Sequence, residues 1–229
     1  VMLLFQVKRA GLRPPPVGLA WALFILSNYY RGSRPVDDWT KSYYMRELIN
    51  QAEAATLACE DLNAALNARG EVPRAFASVQ SLLAAGAMIS KMLWPQPSKI
   101  DGNGKALDAA GEERRQRTIL RGKALRDALG IKGIPILESR KVRNAIEHFD
   151  DRLDRHFEAG HRFVVDRNIG PRDQMIVIDG QVPLPLRLID NSAMTVSVLD
   201  DEVPMQKLFD AISEVSRGAT EWLNEYDRN

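Results

Sequence analysis

The sequence predicts an α+β protein, mostly helical, with a helical bundle over residues 39–160 and a small antiparallel β-meander and C-terminal helix over 161–229, preceded by an N-terminal arm over 1–38. Three observations predict this. Apolar residues recur at three- and four-residue steps through most of 39–160, the spacing of a helix with one buried face. The pattern then changes to β-prone runs of four to six residues separated by turn chemistry. Helical spacing returns over the last 25 or so residues. With 229 residues, 45% apolar and 27% charged, the chain has the composition of a soluble globular protein large enough to bury a core.

In the arm, residues 2–7 read as a strand and 17–30 as helical. The most apolar stretch, 17–26, is far shorter than the roughly 20 apolar residues that span a bilayer. Lys8, Arg9 and Arg13 precede it, as in a secretory signal. Ser27-Asn28-Tyr29-Tyr30 offers no small-x-small cleavage site, so a buried element is expected. From about 39 to 69, Met45, Leu48, Ile49, Ala52, Ala55, Cys59, Leu62 and Leu66 make one helical face, with Asp37 or Asp38 as N-cap and Gly70 as stop. A second helix, 73–94, carries Phe76, Val79, Leu82, Leu83, Met88, Ile89 and Met92 and is ended by Pro95 and Pro97. Residues 95–111 read as a surface loop. Its Asp101-Gly102-Asn103-Gly104-Lys105 lacks the glycine spacing and Ser/Thr of a phosphate loop, and the alternating acids and closing Glu of a calcium loop.

The third helix, 112–129, carries six basic against three acidic residues and stops at Gly130. Such a run is a solvated face, or a phosphate-gripping surface through Arg114, Arg115 and Arg121. A fourth helix is expected from Pro135 or Ser139 to Gly160. Strands are expected at 162–166, 175–179, 184–189 and 194–199, with turns at 168–171, 179–180 and 190–192, and a last helix at 203–226. These connections are too short for crossover helices, hence an antiparallel meander.

The net charge is +1, which excludes a global nucleic-acid or membrane signature and leaves only local patches. The charge is unevenly laid out, for residues 187–229 hold four basic and nine acidic side chains. A single cysteine excludes a disulfide scaffold and a multi-cysteine zinc site and fits a reducing cytoplasm. Of the three histidines, His148 and His156 point about 80° apart on a helix and make a poor metal pair, and His156 falls on the apolar arc.

The fourth helix carries the one specific signal. Val142, Ala145, Ile146, Phe149, Leu153 and Phe157 occupy its apolar arc, and Arg143-Asn144-x-x-x-His148 and Arg140 its polar face. Chance alone supplies about one Arg-x(4–6)-His pair among 22 arginines and three histidines. Arg155 and His161 make such a pair, across the helix-stopping Gly160. The Asn directly after Arg143 is what makes the first pair informative. Residues 39–160 thereby resemble the HEPN superfamily: helical bundles, many of them metal-independent RNases of toxin–antitoxin and phage-defence systems, others inactive. The meander and final helix lie outside the resemblance.

The resemblance implies an endoribonuclease with Arg143, Asn144 and His148 as catalytic residues and Arg140, Arg114, Arg115 and Arg121 as RNA contacts. It implies a homodimer whose motifs share a cleft, an RNA substrate, an antitoxin or regulatory protein as partner, and no metal, cofactor or membrane. Dimerisation answers a geometric difficulty, since Arg143 and His148 point about 140° apart on a straight helix and do not converge on one atom. Glu147, Asp150, Asp151 and Asp154 crowd the motif with like charge to phosphate. The alternative is a HEPN-like dimerisation or binding module without catalysis. A third reading is an exposed ion-pair helix, with Arg143 and Glu147 at i,i+4 spacing.

Overall fold

A computed structural model describes residues 36–68, 70–175, 177 and 183–228. The strand expected at 2–7, the helical arm at 17–30, and most of the strand at 175–179 with its turn lie outside the described residues. Among the described residues the chain is a mostly helical α+β fold. Its elements are α1 (Asp38–Asn67), α2 (Val72–Leu93), α3 (Ala109–Ala128), α4 (Pro135–Glu138), α5 (Lys141–Glu147), α6 (Phe149–Glu158), six short strands, and α7 (Met205–Tyr226).

Helix α1 starts where Asp37 accepts the Thr40 N–H at 2.7 Å, and the chain turns at Gly70 with φ +82. Met45, Leu48, Ala55 and Leu62 form its buried stripe. Helix α2 is the hub. It packs against α1, α3, α4, α5 and α7, and all but one of the apolar positions expected on its face are buried. The exception is Met88, 42% exposed. By length and composition α2 would also span a bilayer, but 67% of its most apolar window is buried inside the protein. Helix α3 begins three residues earlier than its hydrophobic pattern implies, because Asp108 caps it by accepting the Gly111 N–H at 2.7 Å. In the loop before it, Asp101 accepts from the Asn103 and Lys105 N–H groups at 2.9 Å, which makes the Asp-Gly-Asn-Gly run a tight turn.

The arginine run of α3 has a third role beyond the two expected. Its helix lies against the C-terminal end of α2, whose last carbonyls have no intrahelical partners. Arg121 donates to the Lys91 carbonyl at 3.4 Å and stacks 5.1 Å from the Tyr44 ring. Arg126 donates to the Leu93 carbonyl and lies 5.7 Å from the Trp94 ring. Between them Gly122 permits the close approach, since a Cβ there would press on the Pro95 ring and lie 2.8 Å from the Leu93 carbonyl oxygen. Gly122→Ala is therefore expected to destabilise by about 2 kcal/mol despite its better helix propensity. Gly86→Ala would meet only flexible Leu208 and Val142 side-chain tips and should stay within about 1 kcal/mol of wild type. Equal urea midpoints for the two variants would refute that contrast.

The single fourth helix expected over 135–160 is instead three. The chain breaks at Ser139, which is extended (ψ 153), and again at His148 (φ −126, ψ 32). A tertiary contact accompanies the second break. Arg152, 6% exposed, forms an ion pair with Asp201 on the sheet and donates through Nε to the His148 carbonyl at 3.2 Å, tying α6 to the strands.

The expected meander is also partly revised. Strands β4 (Arg187–Asp190) and β5 (Thr195–Val198) pair antiparallel, as anticipated, and a strand not expected from the sequence, β6 (Asp201–Pro204), adds antiparallel to β5. On the outer edge, however, β2 (Asn168–Ile169) pairs parallel with β4. Strands β1 (Val164–Val165) and β3 (Leu184–Pro185) form a separate parallel pair. The backbone of Arg167, at φ +57, turns between β1 and β2. Residues 201–204, partly assigned to the last helix by pattern, are strand β6, and α7 begins after Pro204. Leu208, Ile212, Val215 and Ala219 of α7 are wholly buried, and the helix packs along α1, so it belongs to the same core as the bundle.

The β4–β5 turn is pinned by Asp190, whose carboxylate accepts from Ser192 Oγ at 2.6 Å and from the N–H groups of Ser192, Ala193 and Arg172. The Ser192 hydroxyl, then the Ala193 and Arg172 amides, hold its carboxyl down at about 2. A folded pKa below the unfolded value of about 3.9 adds stability that is present above that value and lost as pH falls towards 2. Asp190→Asn should accordingly flatten the loss of stability between about pH 4 and pH 2 seen in acid titration of the wild type.

Candidate functional site

The motif residues sit on α5 and at its end, but they do not share one face. Helix α5 buries Val142, Arg143 and Ala145, leaves Asn144 half-buried, and exposes Glu147 and His148. Arg143, placed by helical spacing on the polar face, is 7% exposed. Its Nε and Nη2 are enclosed and have no hydrogen-bond partner among the described residues. Burial lowers its guanidinium below the ordinary arginine value, Arg140 adds to this, and Glu147 pulls the other way. Arginine nevertheless stays charged at any physiological pH.

Around it lies a basic cluster drawn from separate elements. Arg140 donates to the side chain of Gln96, in the segment after α2. Glu147 is held by Lys91 on α2 at 2.5 Å. Arg140 and Glu147 both act on Arg143, and Glu147 is itself paired with Lys91, so the one carboxylate that opposes the two arginines is shared with a lysine. Of the other acids, Asp151 approaches His148 Nδ1 at 3.5 Å.

His148 is 55% exposed in its side chain and stands at the α5–α6 break. Its backbone is fixed by Arg152 while its imidazole remains open to solvent. Within one chain an enclosed Arg143 and an outward His148 do not converge on a common atom. The α5–α6 break therefore leaves the difficulty expected of a straight helix in place.

The residues expected to contact RNA divide. Arg140 lies in the cluster with Arg143. Arg121 is engaged at the end of α2, and Arg115 pairs with Glu112 at 2.7 Å. Arg114 is exposed and makes no ion pair among the described residues. Lys91 and Gln96 were missed by sequence reasoning. Lys91 lies on the last turn of a helix read as core and Gln96 in the loop after it, more than 40 positions from Arg140 and Glu147, and no local signal joins them.

The remaining candidates are structural. His156 meets Asp200 through Nε2 at 3.0 Å and packs edge-on to His161. Among the described residues no group of three His, Cys, Asp or Glu gathers as a metal site. Cys59 is half-buried, and burial pushes its thiol above the ordinary value, away from the reactive thiolate. Comparison of the chain with protein families, with characterised proteins and with solved structures finds no match.

Proposed function

We propose that the chain is a HEPN-type, metal-independent endoribonuclease that works as a two-fold dimer in the cytoplasm, as a toxin or phage-defence factor. The observation that carries this reading is Arg143, an enclosed guanidinium with two nitrogens left unpartnered. Removing such a charge from water costs several kcal/mol unless an anion compensates it, and a phosphate is the anion a planar guanidinium fork fits best. Arg140 adds to the same local potential, and Lys91 pairs with the Glu147 carboxylate that opposes it.

In this reading, two α5 helices face one another across the dimer axis, so that His148 of one protomer approaches a phosphate held by Arg143 of the other. The imidazole takes the proton from the RNA 2′-hydroxyl, whose oxygen attacks the adjacent phosphorus and expels the 5′-oxygen; that oxygen takes a proton from the imidazolium or from water, leaving a cyclic phosphate and a 5′-hydroxyl end. Arg143 offsets the charge that grows on the non-bridging oxygens, and Asn144 orients the phosphate or the ring. An antitoxin or regulatory protein would cover the shared cleft.

A second reading, a non-catalytic HEPN-like dimerisation module, is favoured by how little of Arg143 reaches solvent. Purified protein incubated with RNA in EDTA separates the two. The nuclease reading expects cleavage that His148→Ala reduces by about 100-fold or more. Intact RNA with a stable dimer would favour the module, and a monomer at micromolar concentration would sink both.

A further inference from the structure

A cleft of about 460 Å³ opens between α2, α5 and the sheet, within the range of small-molecule sites. Its walls include Phe76, Val79, Leu83, Ile146, Val196 and Val198, and among the described residues Arg167 and Arg187 are its only charged lining residues. Arg143, Asn144 and His148 are not among its walls. We propose that this cleft binds a small amphiphilic carboxylate, of the medium-chain fatty acid class, with the chain between the apolar walls and the carboxylate on Arg167 and Arg187.

The two guanidiniums form a built clamp. Asp166 takes Arg187 Nη1 on one oxygen at 2.7 Å and Arg167 Nε on the other at 3.4 Å, so one carboxylate holds both cations. Arg187 is further fixed over the Phe149 ring at 4.5 Å. Each guanidinium keeps further N–H donors beyond those Asp166 uses. Two arginines against one aspartate leave a single positive charge, which matches a monoanion better than a phosphate dianion. The apolar walls select the rest of the ligand. Beyond the clamp, Gln80 is the one polar side chain in the lining among the described residues, so a sugar or nucleobase would bury polar edges without partners. An alkyl chain leaves no polar group unpaired on entry and gains with each methylene removed from water.

Calorimetric titration of the full chain with decanoate and with decanol tests this. Decanoate is expected to saturate one site, and decanol to bind about tenfold more weakly because it lacks the charge the clamp pairs with. Arg167→Gly removes one guanidinium yet relaxes a left-handed backbone, so it should cut decanoate affinity about tenfold without lowering the melting temperature. Ala77→Phe, from an exposed position on the cleft wall, should weaken both ligands by filling the space. The proposal is overturned if decanoate does not saturate, if decanol binds as tightly, or if Arg167→Gly binds decanoate like wild type. None of these readouts depends on RNA cleavage.

Discussion

Replacing Arg143 by methionine should make the chain more stable by about 1–3 kcal/mol, and at the same time abolish any RNA cleavage. The methionine keeps a long unbranched side chain in the same enclosed space but removes a charge whose Nε and Nη2 find no partner. Glu147 offsets part of that cost through its nearby charge, yet its own carboxylate is already held by Lys91. Most single substitutions destabilise, so a gain at a core position is a sharp outcome. It would identify Arg143 as a residue kept at the expense of stability, the usual signature of a functional group. Urea unfolding of the variant beside an RNA cleavage assay reads both quantities. A loss of more than about 1 kcal/mol would mean that the guanidinium supports the fold, and unimpaired cleavage by a stabilised variant would remove Arg143 from the active site.

Asp201→Asn is expected to have the largest destabilising effect, about 3 kcal/mol. It leaves the Arg152 guanidinium, 6% exposed, without its counter-ion in the core between α6 and β6. Arg152→Met should cost less, about 1–2 kcal/mol, because it removes the buried charge itself and leaves Asp201 a carboxylate that water can reach. The two losses should also differ in kind. Arg152→Met leaves the His148 carbonyl only the Arg152 backbone N–H and cuts the side-chain tie between the α5–α6 break and the sheet, so it should raise amide exchange around His148 while the rest of the bundle stays protected. Equal losses for the two variants would show that the pair is hydrated and acts as an ordinary surface salt bridge.

The helices that were legible are those whose periodicity and caps agree. Asp37 and Gly70 bound α1, Pro95 ends α2, and the turn residues around Asp190 announce the β4–β5 hairpin. Errors fell where a distant group decides the backbone. The apolar arc from Val142 to Phe157 is continuous at helical spacing, and nothing local to it announces the break at His148. That break accompanies the Arg152–Asp201 pair, across 49 positions of sequence. The parallel edge of β2 was hidden in the same way, because strands of two residues carry too little pattern to reveal their partners.

The candidate site divides along the same line. Sequence alone determined which residue types stand together on one short segment: Arg143, the Asn after it, and His148, with the resemblance they carry. Tertiary structure decided their surroundings. It enclosed Arg143, opened His148 to solvent, tied Glu147 to Lys91, and made two arginines of the α3 run, Arg121 and Arg126, caps for α2. The physical reason is range. Helix periodicity, capping and turn chemistry act within about four residues along the chain, so composition and spacing encode them directly. Burial of a charge, its counter-ion and the approach of one backbone to another depend on which helix end or strand lies alongside, and only the packed core settles that.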